Sequence, residues 1–285
     1  MKKENKKAKK SSIVWSLIIV IMAGFVIGCN EDEVDPPAND DVTEVADETT
    51  IESSFDEVED LAFASIFATS NLGGRYEEDG RLVCAIVSKD TTLTGELVIT
   101  IDFGSGCQGP NGRTRKGVVK VTHDGKIWQF GSTVTVELVD FYIDGVKIEG
   151  TRKVINKTTL SSTGIIHEIT LSAGRVIWTD GSEATREVSK VRTWIRDNTN
   201  PLNDVVQLTG SGSGINRKGV QYTMTITEAL VMKRSCWADK VFIPVSGIKE
   251  ITTPRALVTV NFGDGTCDKT ILITVNGKAK SVELN

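Results

Sequence analysis

Histidine is the scarcest catalytic residue type in this chain of 285 residues, with two copies, His123 and His167. So few histidines argue against a Ser-His-Asp triad and against a histidine-rich metal site. His123 stands before Asp124-Gly125, a pair that is typical of a hairpin turn, and His167 lies within a predicted strand. We therefore expect a protein that is not an enzyme and that carries no cofactor.

Lysine and arginine are absent from residues 30–60, a segment that holds 14 Asp and Glu. A block of one charge repels itself and buries little surface, so we predict a solvated acidic tether over residues 29–52. Residues 61–285 carry 27 Lys and Arg against 23 Asp and Glu. This positive excess is too small for a nucleic-acid-binding protein, and we expect no nucleic-acid partner.

Cysteine occurs five times and never in the Cys-x-x-Cys spacing of zinc sites. The first, Cys29, follows an apolar run over residues 13–28, which itself follows six lysines among the first ten residues. As a helix this run is about 24 Å long, short of the roughly 30 Å of a bilayer core. We therefore predict a signal peptide at residues 1–28, with an uncleaved single-pass anchor as the alternative.

The segment Val26-Ile27-Gly28-Cys29 resembles the lipobox of bacterial lipoproteins. The resemblance implies that the Cys29 thiol is lipidated and that the lipid bilayer is a partner of the mature protein. The acidic cluster Asn30-Glu31-Asp32-Glu33 also resembles the surface-export signal of Bacteroidota lipoproteins. It implies an outer membrane protein that faces the cell exterior, with the periplasmic face as the alternative.

The folded body is predicted to begin with one amphipathic helix over residues 53–74, because apolar residues such as Val58 and Leu61 recur at three- and four-residue spacings. Beyond it, apolar and polar residues alternate, and Asp-Gly or Asn-Gly pairs mark hairpin turns. One apolar face and one threonine-rich face are typical of antiparallel sheets. We predict an all-β domain over residues 81–285, a long antiparallel meander that forms a curved sheet, a sandwich or an open barrel.

The two ends of this domain resemble each other, with LVITIDFGSGC at residues 97–107 and LVTVNFGDGTC at residues 257–267. A further cysteine precedes each unit. An exported protein permits disulfides, and a repeated unit favours a repeated crosslink. Of the three possible pairings we predict Cys84 with Cys107 and Cys236 with Cys267, and a four-cysteine zinc site is the alternative.

Several runs of the body resemble a family of uncharacterised Bacteroidota lipoproteins that have a β-rich body behind a lipobox. These runs are IDFGSGCQGPNGRTRKG, IDGVKIEGTRKV, LTGSGSGINRKGV, KRSC and NFGDGTCDK. The likeness covers most of the chain from about residue 50 onward. It implies the fold class and the location given above, and it brings no known activity.

One predicted strand carries a basic stripe at its even positions, Arg186, Lys190, Arg192 and Arg196, with Trp194 among them. Even positions share one face of a strand, so these five residues are candidate ligand-binding residues. The stripe suits an anionic glycan, a lipid headgroup or the acidic tether, and a solvated strand face is the alternative. The loop at residues 261–268 offers oxygen ligands but lacks the acidic spacing of a calcium loop, so no metal site is predicted.

The sequence as a whole predicts a non-enzymatic binding or structural module on a lipid anchor, whose partner is an anionic glycan or another envelope protein. A first alternative is a glycan-binding accessory protein with four tryptophans as platforms, Trp128, Trp178, Trp194 and Trp237. A second alternative is a hydrolase with three candidate catalytic carboxylates, Asp140, Asp144 and Glu149.

Overall fold

The computed structural model describes residues 39–70, 80–109, 112–125 and 127–284. The predicted signal peptide and Cys29 lie outside this part of the chain. The described residues form one long helix, fourteen strands and two short 3-10 helices, Pro201–Asn203 and Arg234–Asp239.

Helix α1 spans Asn39–Thr69 and so begins earlier than the sequence predicts. The segment predicted as a solvated tether over residues 29–52 is helical from Asn39 onward, and within it Ile51 is buried. Apolar side chains such as Val58 and Leu61 are at most 1% exposed and pack against the sheet. The helix is therefore part of the folded body, while residues 71–74 of the predicted helix lie outside the described residues.

The strands follow α1 without any further long helix among the described residues. The first seven are β1 (Ile86–Thr91), β2 (Leu97–Asp102), β3 (Cys107–Gln108), β4 (Thr114–His123), β5 (Thr133–Ile143), β6 (Val146–Asn156) and β7 (Ile165–Ile177). The others are β8 (Glu183–Ile195), β9 (Val205–Ile215), β10 (Gln221–Lys233), β11 (Ser246–Thr252), β12 (Leu257–Asp264), β13 (Thr270–Val275) and β14 (Lys278–Glu283).

The strands form one antiparallel sheet in which each strand pairs with the next along the chain, except that β2 pairs with β4 and the short β3 pairs with β4 beside this path. The sheet is open, with β1 and β14 as its two edges. The predicted all-β class, the antiparallel meander and the single N-terminal helix are confirmed. The alternation left a curved sheet, a sandwich and an open barrel as alternatives, and the structure has a single open sheet.

The inner face of the sheet holds two apolar cores. The first lies between α1 and the strands β2–β8, where Val121, Phe141 and Ile148 are fully buried. The second is formed by β10–β14, where Met224 and Val260 are at most 1% exposed. Burial of every second residue along the central part of strands such as β5, β8 and β10 explains the period-two pattern from which the sheet was predicted.

Strand β9 lies between these two cores and carries glycine at three alternate positions, 210, 212 and 214. A Cβ atom on Gly214 would lie 2.0 Å from the carbonyl oxygen of Thr185, and one on Gly210 would lie 2.3 Å from that of Ser189. No side chain fits at these distances. Glycine therefore allows β8 and β9 to approach closely at the boundary between the two cores.

Two disulfides join Cys84 to Cys107 and Cys236 to Cys267, which confirms the predicted pairing. Each links a segment that precedes a strand hairpin, β1–β2 or β11–β12, to the chain that follows the hairpin. The four cysteines are therefore crosslinked, and the zinc alternative is wrong.

The two disulfide units also share a side-chain hydrogen bond at the end of their second strand. The Gly104 N–H donates to Asp102 Oδ1 at 2.7 Å, and the Gly263 N–H donates to Asn261 Oδ1 at 2.9 Å. In both units the glycine has a positive φ. The repeat found in the sequence is thus a repeat of backbone structure as well.

Candidate functional site

Acidic side chains of α1 meet basic side chains on the inner face of the sheet, and we call this set the ion-pair clamp. Its members are Glu48, Glu52, Glu57 and Glu59 of α1 with Arg113, Arg115, Arg152, Arg186, Lys190, Arg192 and Lys249 of the body. Most of the cations are buried. A buried charge is costly unless it is paired, so helix and sheet depend on each other for this pairing.

The first part of the clamp joins α1 to both halves of the sheet. Glu48 accepts a hydrogen bond from Arg186 at 2.5 Å, and Glu52 pairs with Lys190 of β8 and, at 2.9 Å, with Lys249 of β11. Burial alone would raise the pKa of Glu52, but Lys190, Lys249 and Arg186 outweigh it and hold that pKa well below its usual range. Glu52 is therefore a carboxylate at neutral pH.

The middle of the clamp is centred on Glu59, whose side chain is 3% exposed. It lies 2.7 Å from Arg152 and 2.5 Å from Arg192. Burial opposes ionisation, yet the two guanidinium groups lower the pKa of Glu59 to about 2. Beside them, His167 Nδ1 lies 3.2 Å from Arg192, and burial together with this cation lowers the pKa of His167 to about 4. His167 is thus a neutral acceptor at neutral pH.

The third part of the clamp lies at the start of β4. Glu57 accepts hydrogen bonds from Arg113 at 2.5 Å and from Arg115 at 2.6 Å. The Arg115 guanidinium is 6.0 Å from the centre of the Phe103 ring, and the residue is 1% exposed. This arginine is therefore held between an anion of the helix and an aromatic ring of the first core.

The clamp accounts for three of the five residues predicted to bind a ligand. Arg186 and Lys190 are 2% and 6% exposed, and together with Arg192 they face α1. Of the three occupants considered for the stripe, the acidic segment before residue 60 is the one that these cations contact. Trp194 and Arg196, at the end of β8 and just after it, pair with no carboxylate of α1 among the described residues.

The sequence analysis assigned no site role to the acidic half of the clamp or to four of its cations, Arg113, Arg115, Arg152 and Lys249. Two signals were available. Glu48, Glu52 and Glu59 are spaced by four and seven residues, which places them on one side of a helix. Arg115, Arg152 and Lys249 each occupy an inward position of an otherwise alternating strand.

A second group of polar and aromatic side chains lies beyond the helix, and we call it the aromatic row. It consists of Arg196, Trp194, Asp204, Arg234, Trp237 and Phe242. The Arg196 guanidinium lies 5.5 Å from the Trp194 ring centre, and the Arg234 guanidinium lies 5.4 Å from that of Trp237. Each contact is a cation–π pair, so the row alternates guanidinium groups with flat apolar rings.

Asp204 joins the two halves of the aromatic row. Its carboxylate accepts the Trp194 indole N–H at 3.1 Å and the Asp197 backbone N–H at 2.9 Å, and it lies 3.6 Å from Arg234. The Arg234 backbone N–H also donates to the Asp204 carbonyl at 3.0 Å. These contacts fix the loop after β8 against the 3-10 helix that carries Trp237.

The aromatic row and the start of α1 lie at opposite ends of the sheet. In an antiparallel meander, the loops after β4, β6, β8 and β10 share one end, which we call the aromatic end. Phe67, near the last residue of α1, stacks on Trp128 of the loop after β4, with ring centres 5.7 Å apart. Near the other end of α1, Asp47 pairs at 3.3 Å with Arg217 of the β9–β10 turn. The helix therefore runs toward the aromatic end.

The remaining candidate platform, Trp178, lies away from the aromatic end. It sits in the β7–β8 turn, partly buried, with the Arg217 guanidinium 4.6 Å from its ring centre. The structure thus distributes the four tryptophans over both ends of the sheet and brings Trp194 and Trp237 into one connected group.

The three candidate catalytic carboxylates are engaged by cations. Asp140 and Glu149 lie 3.2 Å and 2.9 Å from Lys147, and Asp144 lies 3.0 Å from Arg113. The hydrogen bond from Lys147 is the main reason that the pKa of Glu149 is lowered. A carboxyl group that acts as a general acid at neutral pH needs a raised pKa.

The described residues thus form an open antiparallel sheet to which an acidic helix is fixed by the ion-pair clamp, with the aromatic row at one end of the sheet. No group of three or more metal-binding side chains occurs in the part of the chain that the structure describes. Within the same residues no helix is long and apolar enough to cross a membrane. No protein-family model, no curated protein and no solved structure matches the chain.

Proposed function

We propose that the protein is a lipid-anchored component of the outer membrane, attached through acylated Cys29 and facing the cell exterior, whose body binds a partner and catalyses no reaction. The lipobox at residues 26–29 supports the anchor, and the acidic cluster at residues 30–33 supports the exterior face. The bilayer is then the first partner of the protein.

The single observation that carries this proposal is the clamped helix. Because α1 begins at Asn39, ten residues after Cys29, the connection to the lipid spans at most about 36 Å even when fully extended. The ion-pair clamp and the first core fix α1 to the sheet. An acylated Cys29 would therefore tether the helix and the sheet to the membrane as one body.

Metabolic labelling with palmitate tests the anchor. We expect the wild-type chain to incorporate the label and a Cys29→Ala variant to incorporate none. Equal labelling of both proteins, or no labelling of the wild type, would overturn the anchor.

Protease treatment of intact cells tests the exterior face. We expect degradation of the wild type and protection of a variant in which Glu31, Asp32 and Glu33 are replaced by Gln, Asn and Gln. Protection of the wild type would place the body in the periplasm.

A second candidate function, a glycan-binding accessory protein, is favoured by the aromatic row. Aromatic rings offer apolar faces against which sugar rings pack, and the flanking guanidinium groups donate hydrogen bonds. Retention of the purified protein on any polysaccharide supports this function, and absence of retention across an array of plant and microbial glycans would remove it.

A further inference from the structure

We infer that the aromatic row is a binding site for an acidic oligosaccharide, with Trp237 and Phe242 as the stacking platform and Arg196 as a group that receives the carboxylate of the sugar. This inference deepens the proposed binding function and rests on it. It also assigns a ligand class to Trp194 and Arg196, the two residues of the basic stripe that the clamp does not use.

The platform is exposed although it lies beside a buried crosslink. Trp237 and Phe242 are 51% and 66% exposed, and their ring centres are 6.3 Å apart. Trp237 directly follows Cys236, which is 1% exposed and bonded to Cys267. The Lys240 and Val241 backbone N–H groups donate to the Trp237 and Cys236 carbonyls at 3.0 and 3.1 Å. Exposed rings on a fixed backbone lose little entropy when a ligand stacks on them.

The size of the platform favours a sugar over a protein partner. The exposed surface of the two rings is on the order of 250 Å², given the area that aromatic side chains bury when fully covered. A stable protein interface needs roughly 800 Å² on each partner. A few pyranose rings, each with an apolar C–H face and a polar rim, match the smaller area.

The charges of the row favour an acidic sugar. Asp204 is 4% exposed, and its carboxylate is already used by Trp194, by the Asp197 N–H and by Arg234. Arg196 is exposed, and among the described residues it has no carboxylate partner. The neighbouring Asp197 carboxylate is also used, because it accepts hydrogen bonds from Thr199, Asn200 and Asn203 of its own loop. A uronate carboxylate complements the Arg196 guanidinium and accepts two parallel hydrogen bonds from it.

Affinity electrophoresis of the full chain, purified in detergent, tests this inference with polygalacturonate and alginate as acidic probes and dextran and laminarin as neutral probes. We expect retardation by at least one acidic probe and by neither neutral probe. The dissociation constant should rise at least tenfold in Trp237→Ala and about threefold to tenfold in Arg196→Gln, and Trp237→Tyr should recover part of the loss. Added salt should weaken binding because it screens the guanidinium contact.

Two matched controls make the result specific to the row. Phe130→Ala removes an aromatic ring that is 65% exposed in the loop after β4, at the same end of the sheet. Arg255→Gln removes an exposed cation in the turn after β11, at the other end. Both should bind like the wild type, and thermal unfolding should be the same for all variants.

Several outcomes would overturn the inference: equal binding of acidic and neutral probes, no binding of either, unchanged affinity in Trp237→Ala, or binding to phosphatidylglycerol vesicles alone. The failure of the anchor is distinguishable from these. Loss of palmitate labelling with glycan binding intact would remove the anchor only, and labelling without glycan binding would remove this inference only.

Discussion

Helix α1 is held to the sheet in two different ways along its length. Between Asp47 and Asp60 it carries seven acidic residues, and carboxylates of this part pair with cations of five strands or turns. From Leu61 to Thr69 it carries no charged side chain, and Leu61, Ala62 and Ile66 are buried in the first apolar core.

The two parts of α1 have different roles: one stabilises the packing of the helix on the sheet, and the other determines its position there. Apolar burial is non-directional and supplies most of the stabilisation of a helix packed on a sheet. The attraction within a buried ion pair offsets the cost of desolvating both charges only in good geometry. Glu52 and Glu59 therefore favour one rotation and one depth of α1 over all others. The acidic part thus defines where the apolar part packs.

The largest effect is expected from Glu59→Gln, which breaks the centre of the acidic part. The change leaves Arg152 and Arg192 without their shared carboxylate in a buried site, and the loss of one partner of a buried pair costs about 3 to 5 kcal/mol. Urea denaturation should show this decrease in the free energy of unfolding. A decrease below about 1 kcal/mol would mean that water already solvates the two arginines.

A slightly smaller effect is expected from Leu61→Ala, which breaks the apolar part. Leu61 is fully buried, and removal of a buried leucine side chain costs about 2 to 4 kcal/mol through lost transfer energy and a cavity. Because no charge changes, the loss should be the same at low and high salt in urea denaturation. A salt-dependent loss would show that this part of the helix is not held by apolar contacts alone.

The two parts of α1 also differ in how much of their structure could be predicted from the sequence. Residues 53–69 were predicted as helical because Val58 and Leu61 follow the helical period, and the strands were predicted because their alternation reflects a sheet with one buried face. The acidic residues up to position 52 were predicted as a tether, since a run of like charge repels itself. Their partners, such as Arg186 and Lys249, lie more than 130 residues away, and only the register of the folded sheet brings them together.

The aromatic row was predicted in pieces for a similar reason. Trp194 and Arg196 were candidate residues, and Trp237 was a candidate platform, but no local pattern relates them. Their connection is made by Asp204, which was not singled out and which contacts both halves. The disulfides were predictable because the repeat gave local evidence for both pairs.

Acidification from pH 6.5 to pH 4 should destabilise the wild type by about 2 kcal/mol relative to a His167→Gln variant. The pKa of His167 is about 4 in the folded protein against an ordinary 6.5, so its ring binds more protons in the unfolded chain in this window. Asp60 acts in the opposite direction in both proteins, because burial raises its pKa to about 6 and the folded state then binds the extra proton. The lowered pKa of Glu59, about 2, extends the loss below pH 4.5.

Thermal unfolding from pH 8 to pH 3 checks this dependence. His167→Gln removes the titrating ring, so the melting temperature of the wild type should fall relative to that of the variant between pH 6.5 and pH 4. Above about pH 7 the difference between the two melting temperatures should be constant. Parallel curves down to pH 4 would contradict the neutral state assigned to His167.

The smallest effect is expected from Glu137→Gln, which breaks an ion pair on the outer face of the sheet. Glu137 lies 4.0 Å from Lys120, and both side chains are about half exposed. Exposed pairs contribute between 0 and about 1 kcal/mol, because water and salt screen them. The substitution matches Glu59→Gln in chemistry and differs in burial. Urea denaturation compares how far each substitution lowers the free energy of unfolding. If both lower it equally, burial does not explain the strength of the clamp. The contrast between the two parts of α1 would then follow from the number of charges.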